Sequence, residues 1–237
     1  DRQGPDKIIM QWTKDGSRIF YRSREKSWNI LVGHLQFINT KGGLPERLPV
    51  SKGGFASLSP DEKKIAYNRI FREYRTWKRY SGGQADDIYI FDLETKKLEN
   101  ISNNKFQDII PMWANDKIYY LSDRDFTMNI FCYDTKTKET KKITNFDNYD
   151  VKFPSLGKNH IAFENGGYIY LLDLLTNEIK KVTIFINEDF PELRPKLTKV
   201  DNRITDYDIA PNGKRALFTG RGDIFNIPSE KGNVVNL

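Results

Sequence analysis

The segment formed by residues 68–83 holds the side chains best suited to contact an anionic ligand. Five basic and four aromatic residues are interleaved there, with a single acid among them. Guanidinium and ammonium groups pair with carboxylates, while aromatic rings supply contact area for backbone or side chains. We therefore predict a peptide-contact surface in this segment. The four residues expected to make the contacts are Arg72, Arg75, Lys78 and Arg79.

Two other interpretations of this segment stay open. It can be an extended loop whose rings pack on the neighbouring part of the fold while its cations face water. Single-stranded nucleic acid is also bound by cations and stacking rings. No other part of the chain continues the basic track, however, and the net charge is only +6. We therefore expect no nucleic-acid partner.

Residue patterns typical of catalysis or metal binding do not occur. The two histidines, His34 and His160, lie outside any metal-binding spacing such as H-E-x-x-H. We expect His34 to be a structural residue and His160 a surface residue. Asp123 and Asp125 could ligate a cation, but Arg124 between them favours a salt bridge within a hairpin. The sequence thus predicts no catalytic residue, no metal site and no cofactor in this chain.

Two further sequence features have structural explanations. Cys132 is the only cysteine, which excludes an internal disulfide, and its apolar surroundings predict a core position. The tripeptide at residues 221–223 spells Arg-Gly-Asp, but it falls where we expect a turn between strands rather than an adhesion motif.

No apolar run approaches the roughly 18 residues of a membrane span. We therefore expect no membrane partner.

An internal repeat determines the predicted architecture. Five segments each place a turn rich in Asp, Asn or Gly before a short β-prone strand. They recur at intervals close to the roughly 40–50 residues of a four-stranded propeller blade. These segments are residues 15–21, 61–67, 115–120, 157–163 and 212–218.

A second repeated strand follows four of these segments. After it comes a charged hairpin whose leading Asp is expected to form an Asx-turn. No stretch of ten or more residues has a helical period, so we predict an all-β fold, a β-propeller of four-stranded WD40-like blades. We place it in one domain, residues 1–237. The five predicted blades are residues 6–50, 51–103, 104–147, 148–198 and 199–237.

The number of blades in the ring is a separate question. Propellers are usually closed, because an open arc leaves an unpaired strand edge and an exposed apolar face. Since five blades are visible, we expect a fragment of a six-bladed ring, with at least one blade encoded before Asp1. The alternative is a closed ring of five blades.

An ordered series of segments resembles the first, six-bladed propeller of tricorn-type proteases. The resemblance covers nearly the whole chain and includes the basic-aromatic run that leads into Asp-Asp-Ile-Tyr-Ile. The segments are residues 71–92, 111–113, 122–125, 150–155, 163–168, 213–216, 221–225 and 228–237.

The resemblance implies a role within a larger enzyme. The parent protein would be a serine-type peptidase that degrades short peptides, with its propellers as channel and filter and its catalytic domain after a PDZ-like module. None of the catalytic residues of such enzymes is present here. The family also has a basic pair that anchors the substrate carboxylate, but only Arg2 is near the matching position, so we do not transfer that role.

Two functions are therefore expected as alternatives. The first is an accessory propeller that gates or channels peptides to a catalytic domain outside this chain. The second is a non-catalytic, TolB-like propeller that binds proteins. The expected partners are peptides or protein segments, the rest of the parent peptidase and further copies of the full-length protein. We expect a cytoplasmic protein, or a periplasmic one if a signal peptide was removed.

Overall fold

The computed structural model describes residues 7–27, 32–70 and 79–237. Within these residues, twenty β-strands form five four-stranded antiparallel sheets. Two short 3₁₀ helices, Pro191–Leu193 and Asp201–Arg203, also occur. The predicted all-β fold of four-stranded sheets is confirmed. None of the described helices is long and apolar enough to cross a membrane.

Four of the sheets belong to one compact unit that ends at Thr183. The first sheet contains β1 (Lys7–Trp12), β2 (Arg18–Ser23), β3 (His34–Asn39) and β4 (Glu46–Arg47). The second contains β5 (Ala56–Leu58), β6 (Lys64–Tyr67), β7 (Tyr89–Asp92) and β8 (Leu98–Asn100). The third contains β9 (Asp108–Ala114), β10 (Lys117–Ser122), β11 (Asn129–Asp134) and β12 (Thr140–Lys142). The fourth contains β13 (Lys152–Leu156), β14 (His160–Asn165), β15 (Tyr168–Asp173) and β16 (Ile179–Lys181).

A second compact unit begins at Ile184 and holds the fifth sheet. Its strands are β17 (Ile204–Ile209), β18 (Arg215–Gly220), β19 (Asp223–Pro228) and β20 (Val235–Asn236). The Arg-Gly-Asp tripeptide lies in the turn between β18 and β19, as predicted. The exact blade limits and the number of blades in the ring stay predictions.

The strands of each sheet are hydrogen-bonded in sequence order, so each sheet is a simple meander. In the first unit, the first strands of successive sheets are neighbours: β1 contacts β5, β5 contacts β9, and β9 contacts β13. Because neighbouring strands in a meander run in opposite directions, the loop between strands two and three lies at the same edge of a sheet as the start of strand one. We call this edge the 2–3 edge. The 1–2 and 3–4 turns lie at the opposite edge.

Asp and Asn side chains hold the turns of the repeat. In the first sheet, Asp15 accepts hydrogen bonds from the N–H of Ser17 (3.0 Å) and the hydroxyl of Thr13 (2.7 Å). The fifth sheet uses Asn212 in the same way, with the N–H of Lys214 at 3.0 Å. The leading Asp of three 3–4 hairpins accepts two backbone N–H groups, which confirms the predicted Asx-turns. These are Asp92, Asp134 and Asp173.

The turn carboxylates predict a loss of stability in acid. Hydrogen bonds from the hydroxyl and N–H of Ser17 and from the hydroxyl of Thr13 lower the pKa of Asp15 to about 2, from an ordinary value of 3.8. Stability that depends on the ionised carboxylate is complete above the ordinary pKa and is lost as the pH falls through the lowered one. We expect Asp15→Asn, which keeps the acceptor oxygen, to weaken the fall in the urea midpoint between about pH 4 and about pH 2.

The control for this prediction is Asp189→Asn, because the side chain of Asp189 is 92% exposed. Unfolding would be followed by far-UV circular dichroism at several pH values. An Asp15→Asn protein with the same acid-induced loss as the wild type would show that this carboxylate does not contribute to the pH dependence.

Apolar side chains fill the spaces between neighbouring sheets of the first unit. Phe20 and Phe91 are buried between the first and second sheets, and Trp113 and Tyr120 belong to the cluster between the second and third. The buried cluster between the third and fourth sheets includes Ile109, Tyr119, Ile130, Cys132, Ile161 and Phe163. Burial raises the pKa of the Cys132 thiol to about 11, so this cysteine is the core residue that the sequence predicts. Each such side chain contributes roughly 1.5–3 kcal/mol by leaving water.

A close approach of backbone joins the first two sheets. Gly33 and Gly53 form an isolated antiparallel bridge, and the fully buried Arg22 donates from Nε to the carbonyl oxygen of Gly53 at 3.0 Å. A Cβ atom added at Gly33 would lie 2.5 Å from Nε of Arg22, and one added at Gly53 would lie 2.5 Å from Cγ of Leu35. Neither position therefore has room for a side chain.

Candidate functional site

The basic-aromatic insertion, residues 68–83, leaves the second sheet at its 2–3 edge. Three of its four predicted contact residues, Arg72, Arg75 and Lys78, lie outside the described residues. Arg79 is described and is exposed. The structure therefore defines the two roots of the insertion, which are residues 68–70 and 79–83.

The carboxylate of Asp86 is hydrogen-bonded to the first root. It is fully buried and follows the insertion just before β7. Its carboxylate accepts hydrogen bonds from the N–H of Arg69 (3.0 Å), the N–H of Ile70 (2.5 Å) and Nδ2 of Asn68 (3.0 Å). One side chain thus joins the residues that enter the insertion to the residue that follows it.

Burial and the neighbouring donors have opposite effects on the pKa of Asp86 at this root. Burial raises the pKa of Asp86, while the hydrogen bonds from Asn68, Arg69 and Ile70 and the positive charge of Arg69 act in the other direction. The guanidinium Nε of Arg69 lies 3.6 Å from the carboxylate, and its Cζ lies 4.9 Å from the ring centroid of Tyr89. Arg69 therefore contributes to the root through both its charge and its contact with the ring.

Both roots are also tied to the third sheet. Oδ1 of Asn68 accepts the N–H of Ile110 at 3.4 Å. At the second root, Nε2 of Gln107 donates to the carbonyl oxygen of Tyr80 at 3.0 Å, and the N–H of Gln107 donates to Asp123 at 2.9 Å. The insertion consequently starts and ends at fixed points on the 2–3 edge of two adjacent sheets.

Arg79 lies on an aromatic ring of the third sheet. Its Cζ is 4.8 Å from the ring centroid of Phe126, which belongs to the loop between β10 and β11. Phe126 is 67% exposed. The described end of the insertion therefore presents a cation and an apolar ring together at the surface.

The expected salt bridge within the 123–125 hairpin is wrong. Arg124 instead reaches back to β9, where its Nη2 lies 3.1 Å from Oδ1 of the fully buried Asp108. Asp125 pairs with Nζ of Lys142 at 2.9 Å, and Asp123 accepts the N–H of Gln107. Across the described ranges, no group of three or more His, Cys, Asp or Glu side chains could hold a metal ion.

The two histidines have the predicted environments. His34 is buried, and its Nδ1 lies 2.7 Å from Nη2 of Arg47. Burial, with the charges of Arg47 and Arg22, lowers the pKa of His34. His160 is exposed and lies 3.3 Å from the carboxylate of Asp173. His34 is the first residue of β3.

Removing the Asp86 carboxylate tests how firmly the first root is held. We expect Asp86→Ala to lower the free energy of unfolding by about 2–3 kcal/mol, because the side-chain N–H of Asn68 and two partly buried backbone N–H groups lose their acceptor. The matched control is Asp116→Ala, which removes a carboxylate whose side chain is 55% exposed at the opposite edge of the third sheet. Urea titration measures both. Equal stability of the two variants would mean that the root is held by other contacts.

A sequence profile of a known protein family matches most of the chain. The sequence profile described as "Tricorn protease N-terminal beta propeller domain" matches residues 2–178. The chain belongs to this family. The predicted resemblance and the propeller fold are thereby confirmed.

Curated relatives of this tricorn-family chain are much longer than it is. A "Tricorn protease homolog" of Saccharolobus solfataricus is 27% identical over 188 residues, which are 79% of this chain and 17% of the relative. The "Tricorn protease" of Thermoplasma acidophilum is 25% identical over 169 residues, covering 71% of this chain and 15% of the relative. The chain thus spans about a sixth of the length of these relatives.

Solved structures support the fold. The crystal structure of the tricorn protease aligns with a TM-score of 0.54 and 19% identity, covering 95% of this chain and 27% of that one. TolB from Acinetobacter baumannii aligns with a TM-score of 0.60 and 21% identity, covering 97% of this chain and 56% of that one. At these identities, the likeness establishes a shared architecture alone.

Sequence reasoning missed two residues of this site, Asp86 and Phe126. The role of Asp86 depends on contacts with residues 16 to 18 positions earlier, which the local sequence does not indicate. Phe126 carried a detectable signal, since a large aromatic residue is unusual in a tight turn that elsewhere in the repeat contains glycine.

Proposed function

We propose that this chain is the accessory propeller of a tricorn-like serine peptidase and guides peptides to a catalytic domain outside these residues. Membership of the tricorn N-terminal propeller family supports this role. The observation that supports the contact site is the attachment of the basic-aromatic insertion to the 2–3 edge at both of its roots.

The physical role of the insertion is electrostatic attraction followed by apolar contact. Arg72, Arg75, Lys78 and Arg79 supply four positive charges within eight residues. Such a cluster raises the local concentration of acidic peptides, and salt weakens the effect because mobile ions screen long-range electrostatic attraction. The rings interleaved with them give the peptide a surface on which to lie.

A variant with all four residues changed to Ala tests the proposal in the intact gene product. We expect its kcat/KM for acidic fluorogenic peptides to fall about tenfold at low salt, and to approach the wild-type value at high salt. Cleavage of neutral peptides should change much less.

The matched control changes four exposed lysines at the opposite edge of the sheets: Lys14, Lys41, Lys97 and Lys158. It alters net charge by the same amount but leaves the 2–3 edge intact. If both variants lose the same activity, only net charge matters and the insertion is not the contact site.

The second candidate function is a TolB-like binding module. The observation in its favour is the alignment with TolB over 97% of this chain. An intact gene product that cleaves no peptide of an acidic and neutral panel, yet retains a protein partner at the 2–3 edge, would favour this alternative. The compartment and homo-oligomeric assembly of the full-length protein stay predictions.

A further inference from the structure

Phe126 combines strained backbone with an exposed aromatic ring. Its φ is 71°, in the left-handed region that disfavours bulky side chains, and its side chain is 67% exposed. A ring this exposed adds little to the core. The sequence therefore retains a large apolar residue where Gly or Asn would fit the backbone better.

The corresponding turns of other sheets use glycine. Between the second and third strands of the fourth sheet, Gly166 and Gly167 have φ values of 59° and 82°. In the fifth sheet, Gly222 has φ of 92°. The turn of the third sheet departs from this pattern by placing a phenylalanine at positive φ. The first and fifth sheets also have a non-glycine residue at positive φ between their second and third strands, Lys26 (64°) and Arg221 (59°), but those side chains are charged and that of the third sheet is aromatic.

The turn that carries Phe126 is held from both sides. The N–H of Phe126 donates to the carbonyl oxygen of Asp123 at 2.9 Å. Arg124, two residues before Phe126, pairs with the buried Asp108. The hydroxyl of Thr127, the residue after Phe126, donates to the carbonyl oxygen of Asp147 at 3.1 Å. The backbone that carries the ring is thus ordered before any ligand arrives, which lowers the entropic cost of binding.

The charge beside the ring is positive. Arg79, whose own φ is 58°, places its guanidinium over the ring of Phe126. The adjacent acid, Asp125, is neutralised by Lys142 at 2.9 Å. A ligand that reaches the ring therefore meets an apolar surface next to a cation.

We propose that Phe126 and Arg79 form a contact site for extended peptides that carry an apolar side chain beside an acidic one. Phe126 contacts the apolar side chain, and Arg79 pairs with the carboxylate. This inference rests on the proposed function and adds a specificity to it: the 2–3 edge distinguishes acidic peptides by their apolar neighbour.

The test measures binding of three labelled peptides to the intact gene product by fluorescence anisotropy. One peptide contains Glu-Leu pairs, the second contains Glu-Ser pairs, and the third contains Gln-Leu pairs. We expect Phe126→Ala to weaken binding of the Glu-Leu peptide about fivefold and to leave the Glu-Ser peptide unchanged. Phe126→Trp should keep the affinity, and Arg79→Ala should weaken both glutamate peptides.

Two further variants separate contact from folding. Phe126→Gly removes the ring and the strain together, so its affinity should match that of Phe126→Ala while its Tm is higher. Leu175→Ala, at an 81% exposed position in the 3–4 hairpin of the fourth sheet, should leave affinity unchanged.

The outcomes distinguish this inference from the proposed function. If the four-alanine variant loses affinity for acidic peptides but Phe126→Ala keeps it, the Phe126 contact is wrong and the proposed function stands. If the four-alanine variant binds all peptides like the wild type, or the wild type binds none, both are wrong. A Tm for Phe126→Gly below that of Phe126→Ala would overturn the strain on which the inference depends.

Discussion

Replacement of Arg124 by Met is expected to lower the free energy of unfolding by about 3–5 kcal/mol at neutral pH, because it leaves a buried carboxylate unpaired. Nη2 of Arg124 lies 3.1 and 3.3 Å from the two carboxylate oxygens of Asp108 and donates to the hydroxyl of Tyr120 at 3.0 Å. Asp108 is fully buried, whereas 23% of the Arg124 side chain is exposed.

The pH dependence of this loss has a definite sign. Burial already raises the pKa of Asp108, and the charge of Arg124 opposes that rise. Without Arg124 the pKa rises further, so the folded variant takes up a proton more readily than its unfolded chain. The contribution of this carboxyl group to the stability of the variant therefore increases as the pH falls. The difference between variant and wild type should be largest near pH 7 and smaller near about pH 5.

Urea titrations at several pH values check this prediction. The control is Arg18→Met, because Arg18 pairs with Glu46 at the surface and the two side chains are 42% and 69% exposed. It should cost less than about 1 kcal/mol. Adding Asp108→Asn to Arg124→Met should recover part of the stability. A loss in Arg124→Met no larger than that in Arg18→Met would contradict the account of a buried pair.

Replacement of Phe163 by Ala should cost about 3–5 kcal/mol, since it removes a large side chain from a packed interior and leaves a cavity. Phe163 is 2% exposed. Its ring stacks on that of Tyr170 with centroids 5.5 Å apart and meets that of Phe146 edge-on at 5.9 Å. These contacts belong to the cluster between the third and fourth sheets.

Denaturant unfolding and near-UV circular dichroism measure the effect of Phe163→Ala. The control is Tyr168→Ala in the adjacent strand, where the tyrosine is 53% exposed and a loss of no more than about 1 kcal/mol is expected. Peptide affinity per folded molecule should not change in either variant. Comparable losses in the two would mean that the cavity at Phe163 is closed by rearrangement of its neighbours.

The strands and turns that could be predicted from the sequence are those whose signals lie in adjacent residues of the chain. A turn residue followed by a β-prone run is visible in any short window, and so β2, β6, β10, β14 and β18 are found where the repeat places them. The Asx-turn at Asp134 was predictable for the same reason, because its partners are two and three residues ahead.

The parts of the site that were missed depend on distant residues. Arg124 was assigned to an acid beside it, but its partner Asp108 lies in another strand and is chosen by burial. The hydrogen bonds between Asp86 and residues 68–70 likewise join positions that the whole insertion separates in the sequence. A single sequence contains no record of which buried donor meets which acceptor. It does record an unusual residue in a turn, which is how Phe126 could have been found.

The close approach of Gly33 and Gly53 beneath Arg22 also constrains how this family can diverge. A mutation that adds a side chain at either glycine displaces Arg22 or Leu35, and loss of Arg22 removes the donor to the carbonyl oxygen of Gly53. Substitutions at these positions are consequently tolerated only in combination. Among tricorn-type propellers we therefore expect these three residues, which lie between the first two sheets, to co-vary. The arginine and its two glycines should be present together or replaced together.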